Sequence, residues 1–250
     1  MNDGNCMSIG GVRLQPCVAE SIPKQKWHKP IICINTDRGG TKRVYKTYRY
    51  NQGPLGQYFR LLAAHEYRML KRVQDLPLVP QNAQRDAGSG STISYQFADG
   101  VPVKKRFQNR DIPDRFFFRL YQTVNELHER GVAHLDVGNS GNILVSPDGN
   151  PVLIDFGFAV PLKRLPVITR AWARKKDLMG ALKLWHRYDS ETMPDILRQY
   201  YDRYYKKNIY TPKRFVKAFK RYWVSDGEEV SELGAVVGIF CALLFLVTIV

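Results

Sequence analysis

Two carboxylates and an amide stand at spacings suited to metal-assisted phosphate chemistry. Asp136 lies in the polar stretch after Gly131-Val132-Ala133-His134-Leu135. Asn142 opens Asn142-Ile143-Leu144-Val145, and Asp155 closes the apolar run Leu153-Ile154 ahead of Phe156-Gly157. A carboxylate and an amide oxygen are hard donors that can hold Mg²⁺ on a nucleotide phosphate. A second carboxylate in the adjoining loop can take the proton of an attacking hydroxyl. Asp136 and His134 are therefore the candidate catalytic residues, and Asn142 and Asp155 the candidate metal ligands.

Such a site also needs a cation on the phosphates, carried by a rigid strand. Lys46 in Val44-Tyr45-Lys46-Thr47-Tyr48 is placed for that, because its neighbours Tyr45 and Thr47 point to the opposite face. A carboxylate should hold the lysine, and Glu66 is the candidate, inside a run where Leu61, Leu62, Tyr67, Leu70 and Val73 approach helical spacing.

The elements around these groups read as follows. The segments 31–35 and 42–48 form a hairpin about the turn-rich 36–41. Residues 81–90 are a loop, and 91–97 alternate as a strand that Asp99-Gly100 ends. A helix starts at Asp111 and Pro113 and runs through Phe117, Leu120, Val124 and Leu127 to Gly131, a C-terminal stop. Ile143–Val145 and Val152–Ile154 flank the turn Pro147-Asp148-Gly149-Asn150. Helix returns over 176–188, with Leu178, Leu182 and Trp185 on one side, and 193–223 reads as two further basic helices. A small sheet followed by helices is an α+β, two-lobed arrangement.

At 250 residues the chain has room for one two-lobed domain, and its 44% hydrophobic content supports a packed core. Cys6, Cys17, Cys33 and Cys241 are scattered without metal-ligand spacing, which points to a reducing compartment and away from structural zinc. The net charge of +15 calls for an anionic partner. Residues 163–176 hold six basic side chains and no acidic one; 198–221 hold nine basic and one acidic, interleaved with aromatics.

Residues 233–250 contain no charge and are rich in Leu, Val, Ile and Phe. As a helix they would span about 27 Å, enough for a hydrocarbon core, and read as a transmembrane anchor. Lys213, Arg214, Lys217, Lys220 and Arg221 precede this stretch and no base follows, so the positive-inside rule puts the globular part in the cytoplasm, on the inner face of the cell membrane. Tyr222 and Trp223 suit the interface, the basic–aromatic run reads as a membrane surface contact, and no nucleic acid is expected as a partner. Gly234 and Gly238 form a small-residue pair that could carry dimerisation.

Together, Lys46, Glu66, His134-Leu135-Asp136, Asn142 and Asp155-Phe156-Gly157 resemble the protein-kinase-like superfamily over about residues 31–188. Ala64-His65-Glu66-Tyr67-Arg68 and Gly131-Val132-Ala133-His134 resemble the small bacterial branch that phosphorylates sugars of the lipopolysaccharide inner core. They are similar, less closely, to RIO-type atypical kinases. The resemblance implies ATP and Mg²⁺ as cofactors, with Lys46 on the ATP phosphates and Glu66 paired to it. Asp136 would deprotonate the acceptor hydroxyl, Asn142 and Asp155 would hold Mg²⁺, Gln96, Phe97 and Ala98 would form the adenine hinge, and Asp177, opening a helix, would brace the catalytic loop. The implied layout is a kinase-like sheet lobe and hinge over 31–100 and a reduced helical lobe over 101–223. A poorly assigned segment, 1–30, precedes them; an acidic linker, 224–232, and the anchor, 233–250, follow.

The chain departs from the superfamily pattern in three places. Six positions separate Asp136 from Asn142, one more than usual, so the loop either bulges or hands the metal role to Asn139. No GxGxxG is visible, and the phosphate-covering segment falls near Ser21–His28 with Lys24, Lys26 and His28 in place of glycines. Leu135 stands where many protein kinases carry an arginine. Only 22 positions separate Asp155 from Asp177, without an Ala-Pro-Glu anchor, and the insert is basic: Lys163, Arg164, Arg170, Arg174, Lys175 and Lys176. That favours an acceptor that already bears negative charge. With the anchor it points to a glycolipid or sugar-phosphate at the membrane, ahead of a protein acceptor or a non-catalytic pseudokinase.

Overall fold

Alternation on the central strand organises the first lobe. In β4 (Lys42–Thr47), Val44 and Lys46 face inward, and Tyr48 follows on the same side. This strand pairs antiparallel with β3 (Ile31–Thr36), Ile32 opposite Lys46, and with β6 (Thr92–Gln96), Lys46 opposite Ile93. The short β5 (Gln84–Arg85) completes a four-stranded sheet ordered β3-β4-β6-β5, inside the stretch expected to be loop. The computed structural model describes residues 8–9, 12–13, 30–36, 40–48, 53–106 and 112–205. Its first pieces are the paired β1 (Ser8–Ile9) and β2 (Val12–Arg13). Cys33 on β3 is disulfide-bonded, whereas the scattered cysteines point to a reducing compartment.

Against the sheet lies α1 (Gly53–Val73), eight residues longer at its start than the periodicity from Leu61 showed. Pro54 stands in its first turn, where its missing N–H costs nothing. Phe59, Ala63, Glu66, Leu70 and Val73 fall at helical spacing on its buried face. The chain then crosses to the second lobe through β7 (Val101–Pro102), which pairs with β9 (Ile143–Val145), itself paired with β10 (Pro151–Leu153). The four-residue α2 (Val103–Arg106) follows β7. The helix expected from Asp111 begins at Phe116: α3 (Phe116–Glu129) buries Phe116, Phe117, Leu120, Val124 and Leu127, and Gly131 leaves it at φ +74°. Past it, β8 (Val132–Ala133) pairs with β11 (Val160–Pro161).

A larger difference follows. Helix α4 (Val167–Tyr188) starts nine residues before the expected position, directly after Pro166. The basic insert is therefore mainly helix, and Asp177 lies in mid-helix rather than at its start. Lys and Arg are good helix formers; the early turns bury no apolar stripe, and Val167 and Ile168 there are exposed. Helix α5 (Asp195–Tyr204) packs on α4 through Tyr201, which stacks on His186 at 4.7 Å. One core runs from Val44 and Ile93 through Phe156 to Trp185, and Ala133, Val160, Leu162, Leu165 and Ala173 form a satellite. Among the described residues no helix is long and apolar enough to cross a membrane. The expected anchor over 233–250, the acidic linker, the second helix of 193–223 and the phosphate cover near Ser21–His28 all lie outside the described residues.

Candidate active site

The buried face of β4 and the buried face of α1 meet at one ion pair. Lys46 Nζ donates to Glu66 Oε1 at 2.7 Å and to Asp155 Oδ1 at 2.8 Å, so one ammonium is clamped between two carboxylates from distant parts of the chain. Lys46 and Glu66 are buried; Asp155 is half-exposed at the cavity. Burial works against the lysine's charge, but Glu66, Tyr95 and Asp155 outweigh it and hold its pKa above the ordinary lysine value. Burial opposes ionisation of Asp155 too, and there Lys46 prevails, leaving that pKa below the usual carboxylate range. Burial pushes the Glu66 carboxyl up against the pull of Lys46. The physical state at neutral pH is a charged triad, since removing either charge would strand the other in a dry setting.

Asp155 adopts a left-handed backbone, φ +69°, at the end of β10, and this turns its side chain back toward Lys46. Beside it, Asn142 Nδ2 donates to Asp136 Oδ2 at 2.8 Å, and Asn139 Nδ2 reaches the same oxygen at 3.1 Å. The extra residue of this loop is absorbed in a tight turn: Asn142 N donates to Asn139 O, and Gly141 N donates to Asn139 Oδ1. Asn142 is buried and lines the cavity, whereas Asn139 is exposed at the loop's outer side. Geometry therefore favours Asn142 over Asn139 beside Asp155. Asp136 Oδ1 makes no hydrogen bond among the described residues.

His134, expected to act catalytically, is sealed instead. It is 0% exposed, with Nε2 3.1 Å from Ile154 O, Nδ1 accepting from Asp136 N–H at 3.3 Å, and its ring edge-on to Phe156 at 4.8 Å. Burial lowers its pKa and keeps it neutral. With both nitrogens committed, His134 positions the loop and touches no substrate space. Asp177 carries the loop from below: its Oδ2 accepts from His134 N at 2.6 Å and its Oδ1 from Leu135 N at 2.7 Å, and His128 Nε2 lies 3.2 Å from Oδ2. Leu135 sits between them at φ +62°. Asp177 makes these bonds from mid-helix.

Above the triad opens a cavity of about 240 Å³ lined by Ile32, Ile34, Val44, Lys46, Tyr95, Phe97, Ala98, Asn142, Leu144, Ile154 and Asp155. Its apolar walls and small size suit a flat ring rather than a whole extended ligand. Ile32 and Ile34 are 59% and 58% exposed, apolar surface that a ring in the cavity would cover. Of the three expected hinge residues, Phe97 and Ala98 line the cavity; Gln96 faces away, its side chain accepting from Asn82. Burial pushes the Tyr95 hydroxyl up to about 12, so it stays neutral beside Lys46.

Three features escaped sequence reasoning. Tyr95 and Leu144 sat in runs that read only as strand. His65 anchors α1 to the turn after Asp155 through Nε2 and Ala159 O at 2.7 Å. Gly180 approaches the catalytic loop so closely that an added Cβ would lie 2.7 Å from Gly138 N. A lone glycine inside a helical pattern was the available signal for that contact.

A four-stranded antiparallel sheet with a lysine–glutamate pair, joined to a helical part that holds an Asp–Asn loop and a second carboxylate, is the protein-kinase-like fold. The solved structures similar to this chain include the Rio2 kinase of Chaetomium thermophilum in an ADP/Mg²⁺-phosphoaspartate complex. That match has a TM-score of 0.51 and 19% identity, covering 70% of this chain and 58% of the other. A second Rio2 kinase structure from the same organism matches with TM-score 0.51 and 20% identity, over 72% of this chain and 61% of that one. The chain thus spans about three-fifths of the Rio2 structures it matches. They are RIO-type kinases, the less close of the two branches its motifs resemble. No protein-family model and no curated protein matches the chain by sequence.

Proposed function

We propose that the protein is an ATP- and Mg²⁺-dependent phosphotransferase acting on a hydroxyl of an anionic membrane glycolipid, of the lipopolysaccharide-core sugar type, at the cytoplasmic face of the inner membrane. The observation that carries the reading is the convergence of Lys46, Glu66 and Asp155 at the base of an apolar cavity beside Asp136 and Asn142. The donor set fits Mg²⁺: one carboxylate and one amide oxygen, hard ligands that leave positions for phosphate oxygens and water. Bound Mg²⁺ would neutralise charge developing on the phosphoryl group. The Rio2 neighbour bound to ADP and Mg²⁺ supports the same cofactors.

The chain's own residues then divide the work. Ile32, Ile34, Val44, Phe97 and Ala98 enclose the base. Lys46, oriented by Glu66, faces the phosphates. Asn142 and Asn139 hold Asp136 Oδ2, leaving Oδ1 to accept the acceptor's hydroxyl proton. His134 and Asp177 fix the loop so that this oxygen keeps its position, which matters because placement rather than covalent chemistry supplies most of the rate in such transfers. The glycolipid acceptor rests on the basic run and the uncharged 233–250 stretch in the sequence. Confinement of enzyme and acceptor to one surface raises their effective concentration.

Wild type and the Asp136→Asn and Asp155→Asn variants are compared for ATP turnover, and mass spectra are taken of envelope glycolipids from cells with and without the protein. The expected outcome is turnover lost in both variants and one phosphate missing from a glycolipid in cells lacking the protein. Wild type that neither binds nor turns over Mg²⁺·ATP sinks the enzyme reading. Unchanged glycolipids with intact turnover would move the acceptor to protein.

A further inference from the structure

The first two turns of α4 are more apolar outside than a solvated helix needs. Ile168 is 86% exposed, Val167 76% and Trp172 41%. On a helix Ile168, Trp172 and Lys176 are successive i, i+4 neighbours and form one stripe about 12 Å long. Lys183, seven residues beyond Lys176, continues it and donates to Gly138 O at 3.0 Å. The stripe therefore borders the catalytic loop: Asp177 bonds the loop at Leu135, and Lys183 bonds it at Gly138. Lys176 stands just before the first tie and one turn before Gly180, which meets Gly138 of the same loop.

The ammonium of Lys176 rests over the Trp172 ring at 5.3 Å and has no ion pair or hydrogen bond among the described residues. It is half-buried, and its charge interacts with those of Asp177 and Asp136, while burial lowers its pKa. Asp177 and Asp136 attract this cation without bonding it directly, so its donors stay free for an anionic ligand. Its neighbour Lys175 turns away and packs over Tyr204 at 4.5 Å.

We propose that Ile168, Trp172 and Lys176 form the acceptor subsite, with Lys176 pairing to an anionic group near the reacting hydroxyl and Trp172 and Ile168 bearing on the acceptor's apolar portion. The ligand class is an anionic amphiphile, polar end toward Asp136 and apolar end toward the start of α4. The assignment rests on the phosphotransferase reading, because it takes Asp136 as the group facing the hydroxyl. Charge complementarity selects this occupant over an uncharged lipid: apolar surface ends at an unpaired cation, and Arg170 and Arg174 add positive potential on the same helix.

The probe is hexyl phosphate, titrated calorimetrically into the full chain held in phosphatidylcholine nanodiscs, with empty discs subtracted. Hexyl phosphate should bind at least about tenfold more tightly than either inorganic phosphate or hexyl glucoside, since each half of the probe has its own contact. Lys176→Gln and Trp172→Ala should each weaken it by about tenfold, Lys176→Arg should restore most of the loss, and Lys175→Gln should leave it unchanged. Equal weakening by Lys175→Gln and Lys176→Gln would overturn the proposal, as would equal binding of hexyl glucoside. Absence of binding would mean that the stripe is closed by the chain's own 233–250 stretch or by a second copy, and would overturn it too. Mg²⁺·ATP binding to the same wild-type sample separates the two readings. Nucleotide bound without hexyl phosphate defeats the subsite alone; hexyl phosphate bound in the expected pattern without nucleotide supports the subsite and defeats the phosphotransferase.

Discussion

Gly180→Ala is a one-carbon change that should damage catalysis more than stability. The new Cβ would stand 2.7 Å from Gly138 N, 3.2 Å from Gly138 Cα and 3.3 Å from the Val137 carbonyl carbon. Favourable carbon contacts begin at about 3.5 Å, so helix and loop must part by roughly 0.8 Å. All three obstructing atoms are backbone, and no side chain can swing aside. Three residues back along the same helix, Asp177 holds the loop with bonds of 2.6 and 2.7 Å; a shift of that size takes both toward the limit of hydrogen bonding. Overpacking costs about 1–3 kcal/mol, and alanine's better helix propensity returns about 0.5–1 kcal/mol. The net loss is up to about 2.5 kcal/mol, a fall in Tm of up to about 10 °C for a domain of this size. Displacing Asp136 by most of an ångström should cost about 100-fold in turnover. Gly138→Ala is the internal control for packing, because its Cβ meets Gly180 Cα at 3.5 Å and should leave Tm unchanged. Thermal unfolding and ATP turnover on the three proteins decide the matter. A Gly180→Ala protein with wild-type Tm and wild-type turnover, or one less disturbed than Gly138→Ala, refutes the reasoning.

Lys46→Met strands the buried Glu66 carboxylate and should cost about 3–5 kcal/mol in urea denaturation at pH 7. Adding Glu66→Leu should recover most of it, and a double variant no more stable than the single would contradict the ion-pair account. Asn142→Ala should cut turnover by at least about 100-fold and raise the Mg²⁺ needed for half-saturation, while Asn139→Ala costs less than about tenfold with Mg²⁺ dependence unchanged; the reverse ranking would move the metal role to Asn139. His65 is held below the ordinary histidine pKa, chiefly by burial. The unfolded chain therefore binds more protons below about pH 6.5, and stability present above that value is lost as the pH falls through the native pKa. His65→Gln keeps a donor to Ala159 O and should flatten the fall in Tm between pH 7 and 5.5; an equal slope in both proteins would clear His65 of the effect. Glu66 titrates with the opposite sign but is common to both and cancels.

How much of this was written in the sequence depended on whether a residue's role was local. The hairpin of β3 and β4, the helix ending at Gly131 and the turn before β10 rest on alternation, a helix stop and turn residues, and all could be read. Lys46 and Glu66 were legible because strand and helix each have an inside. The start of α4 was not legible, since helix periodicity shows only where one side is buried, and its first turns are exposed. His134 illustrates a different limit. Its place beside Asp136 suggested chemistry, but whether a histidine meets substrate or backbone depends on what packs over it, and Phe156 and the Ile154 carbonyl come from across the fold. Gln96 failed similarly: alternation along β6 turns it from the cavity that Phe97 and Ala98 line.

Reading the basic run as helix rather than loop changes what those charges can do. A flexible insert could bring any of its six cations to an acceptor, at the entropic cost of ordering each long side chain. A helix deals them around its faces and fixes their heights. Lys183 and Asp177 are spent on tying α4 to the loop, Lys175 on Tyr204, Arg170 and Arg174 on the Leu165 and His128 carbonyls, and Lys176 lies over Trp172 with no bonded partner among the described residues. The Gly180–Gly138 contact bears on how near that cation comes to the loop. The same close approach that places the loop therefore also bears on the spacing between Asp136 and the proposed Lys176 subsite, so a change at Gly180 should disturb turnover and acceptor affinity together.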